Sequence, residues 1–388
     1  MPQECPSPPS GKIGGASIYL HIPFCKQACY YCDFHFSTNT KKKDELVLAL
    51  AKEITLRKCE LNGQTIETIY FGGGTPSLLS NAEIEFLIAE VYTNFNVAEN
   101  PEITLEANPD DLTQNRILEL SKTPINRLSI GIQSFFETDL KRMNRAHNAE
   151  EAKQCLQEAT RYFKNITIDL IYGIPGLSNA RWLQNIETAL AFNIPHISSY
   201  ALTVEPKTAL EHLIKKGEIN NVNEQQAHEQ FYLLIEKLKI SGFVHYELSN
   251  FGKPEYFSKH NTSYWQGKPY LGIGPSAHSF NGRQRSWNIS NNSKYIKAIQ
   301  NTELPIETET LTVADKYNEY IMTGLRTIWG VSLAKVETAF GADFKIYLLE
   351  QAEKHIKAEL LYIEADTLFI SKKGKFLSDG IAADLFKV

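Results

Sequence analysis

Three cysteines near the start of the chain have the spacing of ligands for one metal centre. Cys25, Cys29 and Cys32 form a C-x3-C-x2-C pattern directly after an apolar run, residues 18–22, that predicts a β-strand. Three thiolates leave a tetrahedral site one ligand short. A zinc site would need a fourth protein ligand, for which the nearby candidates are His21, Asp33 and His35. An iron–sulfur cube would instead leave one iron open for a substrate or cofactor, and reactive thiols are a third alternative.

The composition predicts a soluble globular protein. The chain has 388 residues, of which 43% are hydrophobic and 22% charged, and this length suits an α/β barrel with a small appendage. The net charge of -5 offers no general basic surface, so we expect no nucleic-acid partner. The sequence has no apolar run long enough for a transmembrane segment and no signal peptide. We therefore predict a flexible arm over residues 1–16 and a cytoplasmic protein.

Strand patterns alternate with helical patterns six times between residues 17 and 202. This alternation predicts a parallel sheet with right-handed crossovers, closed into a partial (β/α)6 barrel. Function in such folds gathers at the carboxyl ends of the strands. Polar and glycine residues follow these ends in turn: the cysteines, then GGGTP at residues 72–76, Glu106 with Asn108, Gln133, and Asp169. The sequence therefore predicts a binding site along one edge of the sheet.

The chain beyond the sixth strand predicts extra β/α elements and a small second domain. We assign residues 17–304 to the barrel with its extension, and residues 305–388 to a C-terminal domain entered through a Pro/Glu/Thr-rich linker at 305–312. The order of helices and short strands in this domain is that of a winged helix. Because it has no basic recognition face, we expect a packing or lid role rather than DNA binding.

Each polar residue at the strand ends has a structural alternative to a role in binding. The GGGTP turn exposes backbone groups that suit a ligand's amino or carboxylate group, but glycine turns are often only structural. Glu106 suits an ammonium and Asp169 a ribose hydroxyl, or each carboxylate caps a neighbouring helix. Arg145 suits a ligand carboxylate, or it is a surface arginine. Their joint placement favours binding.

Seven segments together resemble one known family. In chain order they are HIPFCKQACYYCDF, FGGGTPS, EANP, SIGIQSF, MNRAH, DLIYGIPG and HNTSYWQGKPYLGIGPSAHS. They are similar to the radical S-adenosylmethionine (SAM) enzymes of the oxygen-independent coproporphyrinogen oxidase group, and most similar to its haem chaperone branch. The resemblance extends from about residue 17 into the C-terminal domain. It implies a radical SAM barrel that binds an iron–sulfur cluster, SAM and haem.

The resemblance assigns roles to individual residues. It implies a [4Fe–4S] cluster on Cys25, Cys29 and Cys32, with the amino and carboxylate groups of SAM on the fourth iron. It places Tyr19 beside the cluster and Tyr200 and Ala201 near the adenine. The residues that it implies around the rest of SAM are Gly73, Gly74, Thr75, Glu106, Gln133, Arg145 and Asp169.

Three features favour the chaperone branch over the oxidases. Oxidases of this type carry a further cysteine two residues after the trio, where this chain has Phe34, and they have a longer N-terminal extension. The segment His260–Trp265 resembles the H-N-x-x-Y-W motif that the chaperone branch associates with haem. His260 is therefore the candidate axial ligand, since neutral imidazole suits haem iron, and the alternative is a histidine that only fixes its loop. His278 is a weaker candidate.

Three hypotheses follow for function. The first is a haem chaperone that passes haem to acceptor haemoproteins, with peripheral membrane association through a partner as an option. The second is an oxygen-independent coproporphyrinogen III oxidase that decarboxylates tetrapyrrole propionates by radical chemistry. The third is a zinc-stabilised barrel without radical chemistry.

Overall fold

The first half of the chain alternates strands and helices as predicted. The computed structural model describes residues 14–388, so most of the predicted arm lies outside the described residues. The elements of this half are β1 (Ala16–Ile22), α1 (Lys43–Leu56), β2 (Ile66–Gly73), α2 (Asn81–Asn94), β3 (Val97–Ala107), α3 (Gln114–Leu120), β4 (Arg127–Gln133), α4 (Glu137–Arg142), α5 (Ala149–Tyr162), β5 (Asn165–Tyr172), α6 (Asn179–Ala191) and β6 (His196–Ala201).

The second part of the barrel region adds shorter strands at both edges. Its elements are α7 (Ala209–Lys215), α8 (Glu224–Ile240), β7 (Val244–Glu247), β8 (Asn250–Gly252), α9 (Lys259–Trp265), β9 (Tyr270–Ile273), β10 (His278–Phe280), β11 (Gln284–Asn288), α10 (Asn292–Gln300) and β12 (Ile306–Thr310). Together with the first six strands they form one sheet of twelve, in the order β12-β11-β10-β9-β1-β2-β3-β4-β5-β6-β8-β7. The strands β1 to β6 pair in parallel, which confirms the partial α/β barrel.

The two faces of the parallel strands differ in character. In β1 the side chains of Ile18, Leu20 and Ile22 are fully buried in the main hydrophobic core. The alternate residues of β1, among them Tyr19, lie on the other face with polar residues of the neighbouring strands, because successive side chains of a strand point to opposite faces. The outer face therefore packs against the helices, and the inner face forms a polar barrel interior.

A buried polar network attaches the antiparallel edge strands to the barrel. Glu53 of α1, fully buried, accepts hydrogen bonds from Arg57 Nη1 (3.0 Å), Asn288 Nδ2 (2.8 Å), the Tyr295 hydroxyl (2.5 Å) and the backbone N–H of Gly274 (2.8 Å). Buried charges are retained where such partners compensate the loss of hydration. This network fixes the β9–β11 region beside the start of the cysteine loop.

The C-terminal domain has its own core and a small sheet. Its elements are α11 (Val313–Leu325), β13 (Val331–Ser332), α12 (Leu333–Phe340), α13 (Ala342–Lys357), β14 (Leu361–Glu364), β15 (Thr367–Ile370) and α14 (Ser378–Asp384), with the strands in the order β13-β15-β14. The predicted linker is not a linker: residues 306–310 form β12 at the edge of the large sheet, paired with β11. Their alternation of Ile, Thr and Glu is a strand pattern that the flanking proline obscured. Across residues 14–388 every helix is too short or too polar to cross a lipid bilayer.

Candidate functional site

A cavity of about 440 Å³ opens at the carboxyl ends of the parallel strands. It is large enough for a ligand of drug-like size. Of the residues predicted to form the site, all except Tyr19 and His260 line this cavity: Cys25, Cys29, Cys32, Gly73, Gly74, Thr75, Glu106, Gln133, Arg145, Asp169 and Ala201. Phe34 lies at its rim and is 70% exposed. The topology thus brings together residues from six strand ends.

Hydrogen bonds hold the cysteine loop at its start and in its middle. The backbone N–H of Cys25 donates to Ser37 O (3.1 Å), so the residues after β1 run beside the loop's end. In the middle of the loop, Asn144 Nδ2 donates to Ala28 O (2.7 Å) and the N–H of Tyr30 donates to Met143 O (3.1 Å). These bonds present the three thiols to the cavity rather than to the core.

Two of the thiols are protonated in the absence of a metal centre. Burial raises the pKa of the Cys25 thiol, and it raises the pKa of Cys32 to about 11. Thiolate is the form that binds metal, so assembly of a centre would release these protons.

The glycine turn after β2 packs tightly against the cysteine loop. Gly73 has a φ of +110°, and a Cβ there would lie 2.6 Å from the ring of His21. A Cβ on Gly74 would lie 2.6 Å from Phe24 O, and the N–H of Thr75 donates to the same oxygen (2.7 Å). Only glycine tolerates this conformation and closeness. The turn therefore exposes backbone to the cavity within reach of the thiols.

Two carboxyl groups that line the cavity have raised pKa values. Glu106 accepts a hydrogen bond from the Tyr70 hydroxyl (2.7 Å) and another from the N–H of Gly73 (3.2 Å). Burial raises the pKa of Glu106, and burial together with Glu106 raises the pKa of Asp169 to about 7. Neither carboxylate forms an ion pair within residues 14–388, so both are suited to a cationic ligand.

Arg145 connects the thiols to the strand ends. Its Nη1 donates to Cys29 Sγ (3.2 Å), and its Nη2 donates to Asn108 Oδ1 (2.6 Å) and Gly131 O (2.9 Å). Its Nε is a buried donor for which the described part of the chain supplies no acceptor. An unsatisfied donor of a guanidinium group fits a ligand that carries a carboxylate.

The donor set fits a cluster with an amino acid ligand better than a zinc ion. The histidines considered as a fourth zinc ligand are engaged elsewhere: His21 Nε2 bonds to His35 O (3.2 Å), and His35 Nε2 bonds to Asn292 Oδ1 (2.7 Å). Among residues 14–388, Cys25, Cys29 and Cys32 included, no three His, Cys, Asp or Glu side chains are arranged to hold a single metal ion. The cavity instead adds acceptors for an ammonium and a donor for a carboxylate beside the thiols.

Tyr19 lies inside the barrel below the cavity. Its hydroxyl bonds to His21 Nδ1 (3.2 Å), and its ring lies 6.0 Å from that of Tyr70 and 6.3 Å from that of His260. It contacts the site through these neighbours and does not line the cavity.

His260 lies at the opposite end of the barrel, on α9. Its Nδ1 bonds to the Thr68 hydroxyl (2.7 Å), its Nε2 bonds to the Tyr264 hydroxyl (2.8 Å), and its N–H donates to Glu102 Oε1 (3.1 Å). Ser17, at the start of β1, bonds to Ser263 of the same helix (2.9 Å). Five residues of strand separate Ser17 from the end of β1, or about 16 Å. Helix α9 therefore closes the amino end of the barrel, and His260 is only 2% exposed.

Two further residues connect these regions: Tyr70, which sequence reasoning missed, and Asn108, which it placed at a strand end without a role. Tyr70 donates to Glu106 at one side and stacks on the His260 ring at the other, with ring centroids 4.7 Å apart. Asn108 bridges Arg145 and the Thr75 hydroxyl (3.1 Å). Asn108 was predicted at the edge of the sheet from its place at a strand end, whereas Tyr70 carries no signal apart from its inward position on β2.

Comparison with known proteins identifies the class of this fold. The model of the "Radical SAM superfamily" matches residues 19–189, and that of the "HemN C-terminal domain" matches residues 311–377. The structure of coproporphyrinogen III oxidase HemN from Escherichia coli superimposes with a TM-score of 0.84, over 97% of this chain and 91% of that one, at 23% identity. The chain has the radical SAM fold with the HemN-type C-terminal domain.

Relatives over the whole length identify the family more narrowly. "Heme chaperone HemW" of Bacillus subtilis is 32% identical over 373 residues, which cover 94% of this chain and 97% of the relative. The protein of the same name from Lactococcus lactis is 33% identical, over 94% and 96% of the two chains. That of Escherichia coli is 35% identical over 69% of this chain and 70% of its own. The chain belongs to the HemW family of radical SAM proteins.

Proposed function

We propose that this protein is a haem chaperone on a radical SAM scaffold, in the cytoplasm. Cys25, Cys29 and Cys32 hold a [4Fe–4S] cluster, SAM occupies the adjoining cavity, and haem is bound and delivered to acceptor haemoproteins. The observation that carries the proposal is the convergence of the three thiols and the predicted SAM residues on one cavity. The whole-length relatives named as heme chaperones support the choice of function.

The chemistry of the cavity side chains fits SAM. The cluster, when bound, supplies an open iron for the amino and carboxylate groups of SAM. Glu106 is the acceptor for the ammonium, Arg145 the donor for the carboxylate, and Asp169 the acceptor for a ribose hydroxyl. The glycine turn at Gly73 and Gly74 leaves room for the ligand against the backbone.

His260 is our proposed haem ligand, and its surroundings define what binding requires. Burial, with the charge of Arg127, lowers the pKa of His260 to about 3, so its imidazole is neutral, as iron ligation demands. Both ring nitrogens are hydrogen-bonded, and Trp265 of the same helix packs under the guanidinium of Arg326, 5.3 Å from the ring centroid. Haem therefore reaches His260 only when α9 moves away from the barrel.

The direct test is haem binding and transfer by anaerobically reconstituted protein. We expect iron and acid-labile sulfide for one cluster, a shifted Soret band on titration with haem, and transfer of haem to an acceptor apoprotein. Absence of a shift at stoichiometric haem would contradict the chaperone proposal. One zinc without sulfide would instead support the zinc-stabilised barrel.

An oxidase is the second candidate, because the residues predicted to surround SAM all line the cavity. In an anaerobic assay with coproporphyrinogen III, SAM and a reductant, the chaperone proposal predicts no protoporphyrinogen. Phe34, at the rim where the resembling oxidases carry a cysteine, is the physical reason. Its replacement, Phe34→Cys, tests whether that position alone limits the reaction.

A further inference from the structure

One arginine is buried in the barrel interior with no hydrogen-bond or ion-pair partner among residues 14–388. Arg127 is the first residue of β4 and is 1% exposed. Over residues 14–388 it forms no ion pair and no side-chain hydrogen bond, and its Nε is a buried donor without an acceptor. Buried arginines are almost always paired, since loss of hydration costs several kcal/mol per ion. The charge of Arg127 must therefore be compensated at longer range.

The strand register places the compensating charges. Arg127 pairs with Thr104 of β3, and Glu106 lies two residues further along that strand, on the same face. The titratable groups that sense the Arg127 charge come from every side of the interior: Tyr70 of β2, Glu106 of β3, Asp169 of β5, His196 of β6, Tyr246 of β7 and His260 of α9. Glu106 and Asp169 are the carboxylates among them.

Arg127 differs from Arg145, the other arginine of the interior, because its guanidinium group forms no hydrogen bond within residues 14–388. Arg145 is bonded to Cys29, Asn108 and Gly131, and its charge opposes the rise in the pKa of Asp169. Arg127 acts on both carboxylates, opposing the burial that raises their pKa values. It does so without lining the cavity.

We propose that Arg127 is a positioning residue of the SAM site: its buried charge favours the ionised forms of Glu106 and Asp169 and thereby helps to set the pH range in which the cavity binds a cationic adenosyl ligand. This inference rests on the proposed SAM site and adds to it a residue that does not touch the ligand. The same charge disfavours a protonated imidazole at His260 and His196, at the other end of the interior. One side chain thus adjusts the charge of both predicted sites.

The test measures SAM affinity against pH in cluster-reconstituted protein. In the wild type we expect affinity to fall as the pH decreases through about 7, because Asp169 takes up a proton. Arg127→Met should move this midpoint upward by about one pH unit. Arg127→Lys, the matched control, loses the guanidinium packing but keeps the charge and should leave the midpoint near that of the wild type. Equal midpoints for Met and wild type, or an equal shift for Lys and Met, would overturn the proposal.

Infrared spectroscopy of the SAM-free protein separates this proposal from the SAM site itself. Arg127→Met should raise the pH at which the band of buried carboxylic acid disappears, whether or not the protein binds SAM. An unchanged band would overturn the role of Arg127. A shifted band in a protein whose wild type does not bind SAM would refute only the proposal that SAM is the ligand of the cavity.

A double variant covers the case in which Arg127→Met does not fold. Arg127→Met with Asp169→Asn removes both opposite charges, so it should fold even where Arg127→Met alone does not. A double variant that also fails to fold would show that the loss does not come from the interaction of the two groups, and would overturn the proposal.

Discussion

Because His260 is hydrogen-bonded to Tyr264, we predict that removal of the Tyr264 hydroxyl strengthens haem binding. In the proposed complex, iron takes Nε2 of His260, which the Tyr264 hydroxyl occupies at 2.8 Å. Haem must therefore break this bond. A hydrogen bond of this kind contributes roughly 0.5–1.5 kcal/mol net. Tyr264→Phe removes the competitor and should strengthen haem binding about 2- to 13-fold.

The expected direction is opposite for the histidine. His260→Ala removes the ligand and should weaken haem binding and change the Soret maximum. Tyr270→Phe is the matched control, because its ring packs 4.5 Å from that of Tyr264 while its hydroxyl bonds to no side chain among residues 14–388. It should bind haem like the wild type.

Soret titrations of the four reconstituted proteins under anaerobic conditions give the comparison. Equal or weaker binding by Tyr264→Phe, with His260→Ala impaired, would show that Nε2 is not the iron ligand. Unchanged binding by His260→Ala would remove His260 from the site altogether.

Three further predictions concern the cluster, the fold and the carboxylates. Cys29→Ala should abolish cluster assembly, whereas Cys155→Ala, buried in α5, should retain full iron and sulfide; iron in Cys29→Ala would disprove the ligand assignment. Glu53→Gln leaves Arg57 undercompensated and should destabilise the barrel by about 3 kcal/mol, seen as a lower thermal midpoint, while the exposed Glu187→Gln should cost under about 1 kcal/mol. Equal losses of stability in Glu53→Gln and Glu187→Gln would show that the buried network around Glu53 does not stabilise the barrel. For Asp169, the unfolded chain releases its proton near pH 3.9 and the folded SAM-free protein only near 7, so stability falls as pH rises between these values. Asp169→Asn should flatten this fall in thermal midpoint, and an unchanged slope would contradict the raised pKa.

Much of the cavity was predictable from local pattern. The alternation of strands and helices indicates a parallel sheet, and in such sheets the residues after each strand meet at one edge. Cys29, Gly73, Glu106 and Asp169 follow this rule, and the structure places them around one cavity. The spacing of the cysteines left the kind of centre open, and the side chains at the other strand ends favour a cluster with SAM.

The surroundings of His260 were not predictable in this way. The motif at residues 260–265 predicts a short polar and aromatic segment but not its partners. Its bonds to Thr68 and Glu102 join residues 192 and 158 positions apart. Such contacts depend on where α9 packs against the barrel. The residue pattern within the helix does not specify that position, because the strands of the barrel form the surface on which α9 lies.

The sequence by itself therefore determined the class of fold and the edge of the sheet at which the cavity opens, because both follow from periodicity and chain order, and the resemblance of its motifs predicted most of the residues that line the cavity. Only the tertiary structure decided that α9 closes the far end of the barrel, that Tyr70 contacts both predicted sites, and that Arg127 is buried with no side-chain partner among residues 14–388. Electrostatic effects of this kind arise from distances across the interior, which strand patterns do not encode.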